Sequence, residues 1–290
     1  MSETIKSDKA KGALCIIASA FCFALMNMFV RLAGDLPSVE KSFFRNIVAA
    51  VIAAATLLKN RESFMWKKGS LPGLTARAVF GTMGILCNFY AIDHLVLADA
   101  SMLNKLSPFF AVIFSFIVLR ERVTVFQGAM VIIAFIGSLF IIKPTPGLLN
   151  PASLVGLCGG LGAGIAYTMV RKLTERGERK TYIVFFFSAF SCLLTLPYLI
   201  FNFQPMTWQQ LLILICAGIS AAGGQFTITA AYSYAPAREI SVFDYTQIIF
   251  AAGLGFFVFG QIPDWLSVIG YVIICGVSLT MFLHNKRQSA

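Results

Sequence analysis

The sequence predicts an all-α membrane protein of ten transmembrane helices, built as two inverted five-helix repeats. Three observations carry this reading. The chain has too little charge to coat a water-facing surface, it divides into ten apolar windows of membrane length, and its halves match at a near-constant offset.

Of 290 residues, 58% are hydrophobic and 12% are charged, with a mean hydropathy of +0.80. Soluble domains carry roughly 25% charge, about twice as much. A helix needs about 20 mostly apolar residues to cross a hydrocarbon core roughly 30 Å thick. Such windows run over 12–34, 37–58, 73–93, 98–119 and 124–142, then 151–171, 181–201, 210–232, 238–260 and 264–284. A barrel strand alternates apolar and polar residues. Runs such as Phe109-Phe110-Ala111-Val112-Ile113-Phe114 are apolar on every side, which selects helices.

Lys6, Lys9 and Lys11 precede the first window, whose apolar run exceeds a signal-peptide core of about 7–15 residues. An uncleaved first span is expected. All seven cysteines fall inside windows, none in a Cys-x-x-Cys pair or beside a histidine. They read as buried packing residues, with no metal site and no cofactor.

With the N-terminus in the cytoplasm and the spans alternating, eighteen lysines and arginines, Arg77 among them, fall in cytoplasmic segments. Only Arg31, Lys41 and Lys143 fall outside, and Arg45 and Lys105 lie within spans. The positive-inside rule expects this asymmetry. It places both termini in the cytoplasm of a multi-pass protein of the plasma membrane, the inner membrane of a bacterium. The net charge of +10 is then a topology signal and does not point to nucleic acid.

Ala91 and Ala98 fall on Ala230 and Ala237 at an offset of 139, as Gly137 falls on Gly276, and Arg31 falls on Arg171 at 140. The units are 1–143, holding spans one to five, and 144–290, holding spans six to ten. Five is odd, so the second unit enters the membrane the other way up, an arrangement that recurs in transporters with a midplane site.

Charges inside a span cost about 2.5–3.5 kcal/mol even on the lenient scale, and they face the protein interior. Lys105 of span four and Asp244 of span nine are equivalent at the offset of 139. At 1.5 Å per residue each lies about 10 Å deep from opposite faces. The pair is expected to face one cavity, where a zwitterionic, amino-acid-like solute would displace it. Asp244 is also a candidate for a coupling proton. The structural alternatives are a plain ion pair, or Lys105 reaching outward along its stem.

Polar residues at the same level extend the candidate solute-binding set: Asn27, Asn88, Tyr90, Asn104, Tyr167, Gln225, Thr229, Tyr245 and Gln247. The competing account is hydrogen bonding between helices. Arg45 and Asp93 are candidate gating or structural charges, with Arg45 reaching Asp93 or the headgroups. Gly156, Gly160 and Gly164 form a small-residue stripe suited to close helix packing. Pro108 removes a backbone donor and predicts a break in span four beside Lys105.

Several stretches resemble the EamA-domain members of the drug/metabolite transporter superfamily. The first half shows Ala98-Asp99-Ala100-Ser101, Leu106-Ser107-Pro108-Phe109-Phe110, Leu119-Arg120-Glu121-Arg122 and Glu40-Lys41-Ser42-Phe43-Phe44-Arg45-Asn46. The second shows Phe243-Asp244-Tyr245-Thr246 and Gly260-Gln261-Ile262-Pro263-Asp264. Gln261 stands where that family usually has Glu, and Gln247 where it often has Pro. The resemblance covers essentially the whole chain. It implies a secondary transporter of small polar organic metabolites, in the direction of export, import or exchange. Ten helices can enclose a cavity alone, so a monomer is expected, with the solute and the lipid bilayer as its partners.

Enzyme motifs are missing. Gly218-Ile219-Ser220-Ala221-Ala222 falls short of a nucleophile elbow and lies in a span, while His94 and His284 stand at opposite faces. No phosphate-binding loop or metalloprotease motif occurs. The alternatives to transport are an intramembrane enzyme, or a membrane scaffold or receptor.

Overall fold

The computed structural model describes residues 2–114, 116–117, 124–143, 150–234 and 241–287. They are helical throughout apart from short connections. In chain order the elements are α1 (Ser2–Leu32), α2 (Ser38–Lys59), α3 (Leu71–His94), α4 (Leu97–Asn104), α5 (Ser107–Phe114) and α6 (Val125–Ile142). Then come α7 (Pro151–Glu175), α8 (Lys180–Asn202), α9 (Trp208–Tyr234), a 3-10 turn (Ser241–Tyr245), α10 (Thr246–Phe259) and α11 (Trp265–Arg287).

Seven of these, namely α1, α2, α6, α7, α8, α9 and α11, hold a stretch long and apolar enough to cross a bilayer. Large apolar side chains stand exposed on their outer faces, among them Phe201, Trp208, Leu212 and Trp265. That is the surface expected against lipid.

Seven of the ten expected windows are matched by such stretches among the described residues, and several bounds are corrected. The first helix begins well before residue 12, and windows four and nine are each broken. Span four splits at Lys105–Leu106, and the helix of span nine starts only at Thr246, after a 3-10 turn. Glu121 lies outside the described residues. The cysteines also depart from the reading of uniform burial: Cys192 is buried, but Cys158 and Cys216 are exposed on the apolar exterior.

Local chemistry sets several boundaries. Thr124 and Gln127 form a reciprocal capping box at the start of α6, and the Asn150 side chain accepts from Ala152 N at the start of α7. Gly260 ends α10 at φ +63°, a conformation that glycine adopts without steric cost.

The packing follows an exchange rule between halves. α1 lies on α9, and its counterpart pair α7 lies on α3; α2 touches α9, and α8 touches α3. Likewise α1 meets α10 while α7 meets α4 and α5, and the pairs α2–α8, α6–α11 and α4–α10 are their own counterparts.

Glycines decide how closely these seams approach. A Cβ at Gly162 would lie 2.8 Å from the Phe80 carbonyl, and one at Gly84 would lie 3.1 Å from Ala163 N, so α3 and α7 touch backbone to backbone. On the next face of α7, a Cβ at Gly160 would sit 2.6 Å from the Leu103 carbonyl and one at Gly164 2.8 Å from that of Ser107. The stripe therefore seats the broken span, as small residues do where helices pack in lipid. Beyond it, Met102, Leu106, Phe109, Val131, Ile248 and Ile274 form an apolar core shared by α4, α5, α6, α10 and α11.

Candidate functional site

The break in span four follows from its sequence. Pro108 has no N–H to give to Asn104, and Phe109 N turns to the Leu106 carbonyl at 3.0 Å. The Lys105 carbonyl is left for another donor, and the Tyr245 hydroxyl supplies it at 3.2 Å. Beside it, Lys105 Nζ contacts Asp244 Oδ2 at 2.5 Å, with little of either side chain exposed. The equivalent residues of the two halves thus meet directly, each at the break of its own span. The 3-10 turn helps, because it advances about 2.0 Å per residue against 1.5 Å for an α-helix. Asp244 Oδ1 is buried with no hydrogen-bond partner among the described residues.

Asn27 of α1 donates from Nδ2 to Ser101 Oγ at 3.2 Å, one turn before Lys105, and its own Oδ1 has no partner among the described residues. Asn88 is buried against Gly159 of α7, and its Oδ1 likewise has no partner among the described residues. Asn104 lies half-buried at the break, and Gln247 is buried in the first turn of α10. Tyr167 is 48% exposed, with Asp244, Arg45 and Arg77 near enough to act on it electrostatically.

Two expected members fall elsewhere or beyond reach. Tyr90 stacks on His94 at 4.1 Å, at the far end of α3, because the two sit one turn apart with their rings on the same face. The Thr229 side chain lies outside the described residues.

A cavity of about 540 Å³, counting its open mouth, runs between α2, α3, α8 and α9. Lys180 stands at its mouth, Gln225, Phe187 and Ser188 line it, and Arg45 and Arg77 stand deep on its wall. Arg77, taken from sequence as a segment charge, is buried and lies over the Phe187 ring at 3.9 Å. Arg45 neither reaches the headgroups nor pairs with Asp93. Lys41, itself fully buried, takes Asp93 at 2.6 Å, and Arg45 donates to the Asn46 carboxamide at 2.6 Å. Lys41 wins because it stands one turn nearer the end of α2, level with Asp93 near the end of α3.

The opposite end is closed by polar contacts. Besides Lys41–Asp93, Arg31 donates to the carbonyls of Ile92 and Leu95, and Gln210 donates to that of Ala33. Tyr271 donates to Asp99 at 2.6 Å, and Gln261 Oε1 accepts from Leu97 N, capping α4. Sequence reasoning missed Asp99, Lys41 and Arg77. The membership of Asp99 in the quoted Ala98–Ser101 stretch was a usable signal for one of them.

A family model of the EamA-like transporter family matches twice, over residues 10–143 and 150–283. The chain belongs to that family. The two matches make it a two-repeat, multi-pass membrane transporter, and not an enzyme, with a small-molecule substrate and lipid around it. It is 33% identical over 267 residues to the pseudopaline exporter of Pseudomonas aeruginosa, covering 91% of this chain and 93% of that one. It is 28% identical to the riboflavin transporter of Vibrio cholerae, covering 93% and 92% of the two chains. Human solute carrier family 35 member G1 is 25% identical, over 96% of this chain and 80% of that protein. A solved structure superposes with a TM-score of 0.66 at 15% identity, covering 97% of this chain and 99% of that one, a likeness of fold alone.

Proposed function

We propose that this member of the EamA-like family is a secondary transporter that moves a small polar organic metabolite by alternating access. Its units, 1–143 and 144–290, are inverted five-span repeats, ten spans in all, with α4–α5 and the 3-10 turn plus α10 as the two broken ones. Both termini lie in the cytoplasm, and the protein works as a monomer in the bacterial inner membrane. Inverted repeats exchange conformations about a midplane site, often built on discontinuous helices.

The observation that carries the reading is the ion pair of Lys105 and Asp244, buried at two equivalent helix breaks and leaving Asp244 Oδ1 unpartnered. A zwitterionic, amino-acid-like solute can satisfy both charges as it displaces one from the other. Asp244, released from Lys105, is also the seat for a coupling proton. The exchange symmetry of the helix contacts supports two equivalent states. Among directions of transport, the relative named as an exporter favours export.

The test is solute flux in proteoliposomes, using mixed amino-acid-like metabolites and the purified protein. Wild type should catalyse exchange, and Lys105→Ala and Asp244→Asn variants that insert normally should lose at least ~90% of it. Near-wild-type flux in both variants would sink the proposal.

A further inference from the structure

Arg45 and Arg77 are 3% and 7% exposed, and both stand on the cavity wall. Charge buried at membrane depth is costly and is found where a partner or a solute compensates it. Neither guanidinium forms an ion pair with a described residue. Arg45 has its contact to Asn46, Arg77 has the face of Phe187, and Nε of each is buried without a partner among the described residues. Arg45 also lies in the repulsive field of Arg77. Asp244, whose field reaches the same Tyr167 hydroxyl, is already held by Lys105.

The seat of Arg77 is built for this placement. A Cβ at Gly81, one turn along α3, would come within 2.2 Å of Arg77 Nη1 and 2.9 Å of the Phe187 ring. A methyl there would push on both, so the glycine leaves the guanidinium its place over the ring.

We propose that Arg45 and Arg77 form an anion site for two carboxylates of the transported solute, one on each guanidinium. The planar fork of arginine matches a carboxylate with two parallel hydrogen bonds. Two carboxylates would offset the two buried cations. The solute class is a small organic dicarboxylate. This rests on the reading of the protein as a transporter of a small polar metabolite, and its test is binding as distinct from flux.

Purified protein, free of anionic lipid, is titrated with glutarate, L-glutamate, the neutral diamide of glutarate, inorganic phosphate and phosphatidylglycerol micelles, with melting temperature as the readout. Glutarate and L-glutamate should raise it, the diamide should not, and Arg45→Gln or Arg77→Gln should weaken the apparent affinity at least ~10-fold. Gly81→Ala, which keeps every charge but displaces Arg77, should weaken it too, which guards against a misfolded arginine variant. No shift with either dicarboxylate, equal affinity in the glutamine variants, or arginine-dependent stabilisation by phosphate or phosphatidylglycerol alone would overturn the site. Lys105→Ala that loses flux but still binds glutarate supports both proposals. Intact flux in Lys105→Ala and Asp244→Asn, with arginine-dependent glutarate binding, would overturn the Lys105–Asp244 reading and leave the anion site standing.

Discussion

The Tyr245 hydroxyl donates to the Lys105 carbonyl, 140 residues away in sequence, across the same gap that the Lys105–Asp244 contact closes. Span nine thus satisfies a group that the break in span four exposes. Tyr245→Phe strands the carbonyl, an omission that costs about 1–3 kcal/mol when the group is buried. A lower melting temperature, with insertion unchanged, is expected, and an unaltered melting curve would contradict the bond.

Removing one member of the Lys105–Asp244 pair leaves the other uncompensated, which destabilises by roughly 3–5 kcal/mol for a well-buried pair. Apolar replacement of both partners is often close to neutral. Asp244→Asn should therefore melt earlier than the double variant Lys105→Met, Asp244→Leu, although neither transports. A double variant as unstable as the single one would show that the pair is needed for the fold itself.

The glycine stripe makes a graded prediction. A Cβ at Gly160 would meet the Leu103 carbonyl at 2.6 Å, whereas one at Gly253 meets nothing within 4 Å. Gly160→Ala should cost about 1–3 kcal/mol through overpacking, and Gly253→Ala should be neutral or gain up to about 1 kcal/mol in helix propensity. Thermal unfolding of the two variants side by side checks the order.

Asp264, in the loop before α11, has its carboxyl held below the usual carboxylate range by Lys143 and by the N–H of Ser267. A depressed value contributes stability above the ordinary pKa of 3.8 that is lost as the pH falls through the folded value. Both partners are partly exposed, so the contribution is under about 1 kcal/mol. Asp264→Asn keeps an oxygen for the cap and removes the charge. Its deficit against wild type should be steady at neutral pH and vanish once the pH has fallen through the folded value, and a gap that widened in acid would refute the assignment.

Much of this architecture is written in the chain, for identifiable reasons. Apolar windows report spans because lipid forbids unsatisfied backbone, and one offset aligned Lys105 with Asp244. Pro108 announced the first break. The second has no such mark, since Gln247 stands at the matching place, and a 3-10 turn over Ser241–Tyr245 leaves no compositional trace. Arg77 was hidden for another reason. Seven residues into a helix, an arginine can point to water or to the interior, and only the neighbouring Gly81 and Phe187 decide which. The partner of Asp93 was hidden likewise, because Lys41 and Arg45 share one face and differ only in height.

The two exchanged seams are filled unequally. Bare backbone meets bare backbone between α3 and α7, while between α1 and α9 the Phe23 ring rests on Gly224. Under the proposed exchange of halves, this lopsidedness gives the carrier a preferred parking position, weighted by one aromatic ring on one side. Trimming Phe23 would then shift where the empty protein waits between cycles, without touching any group that grips the cargo.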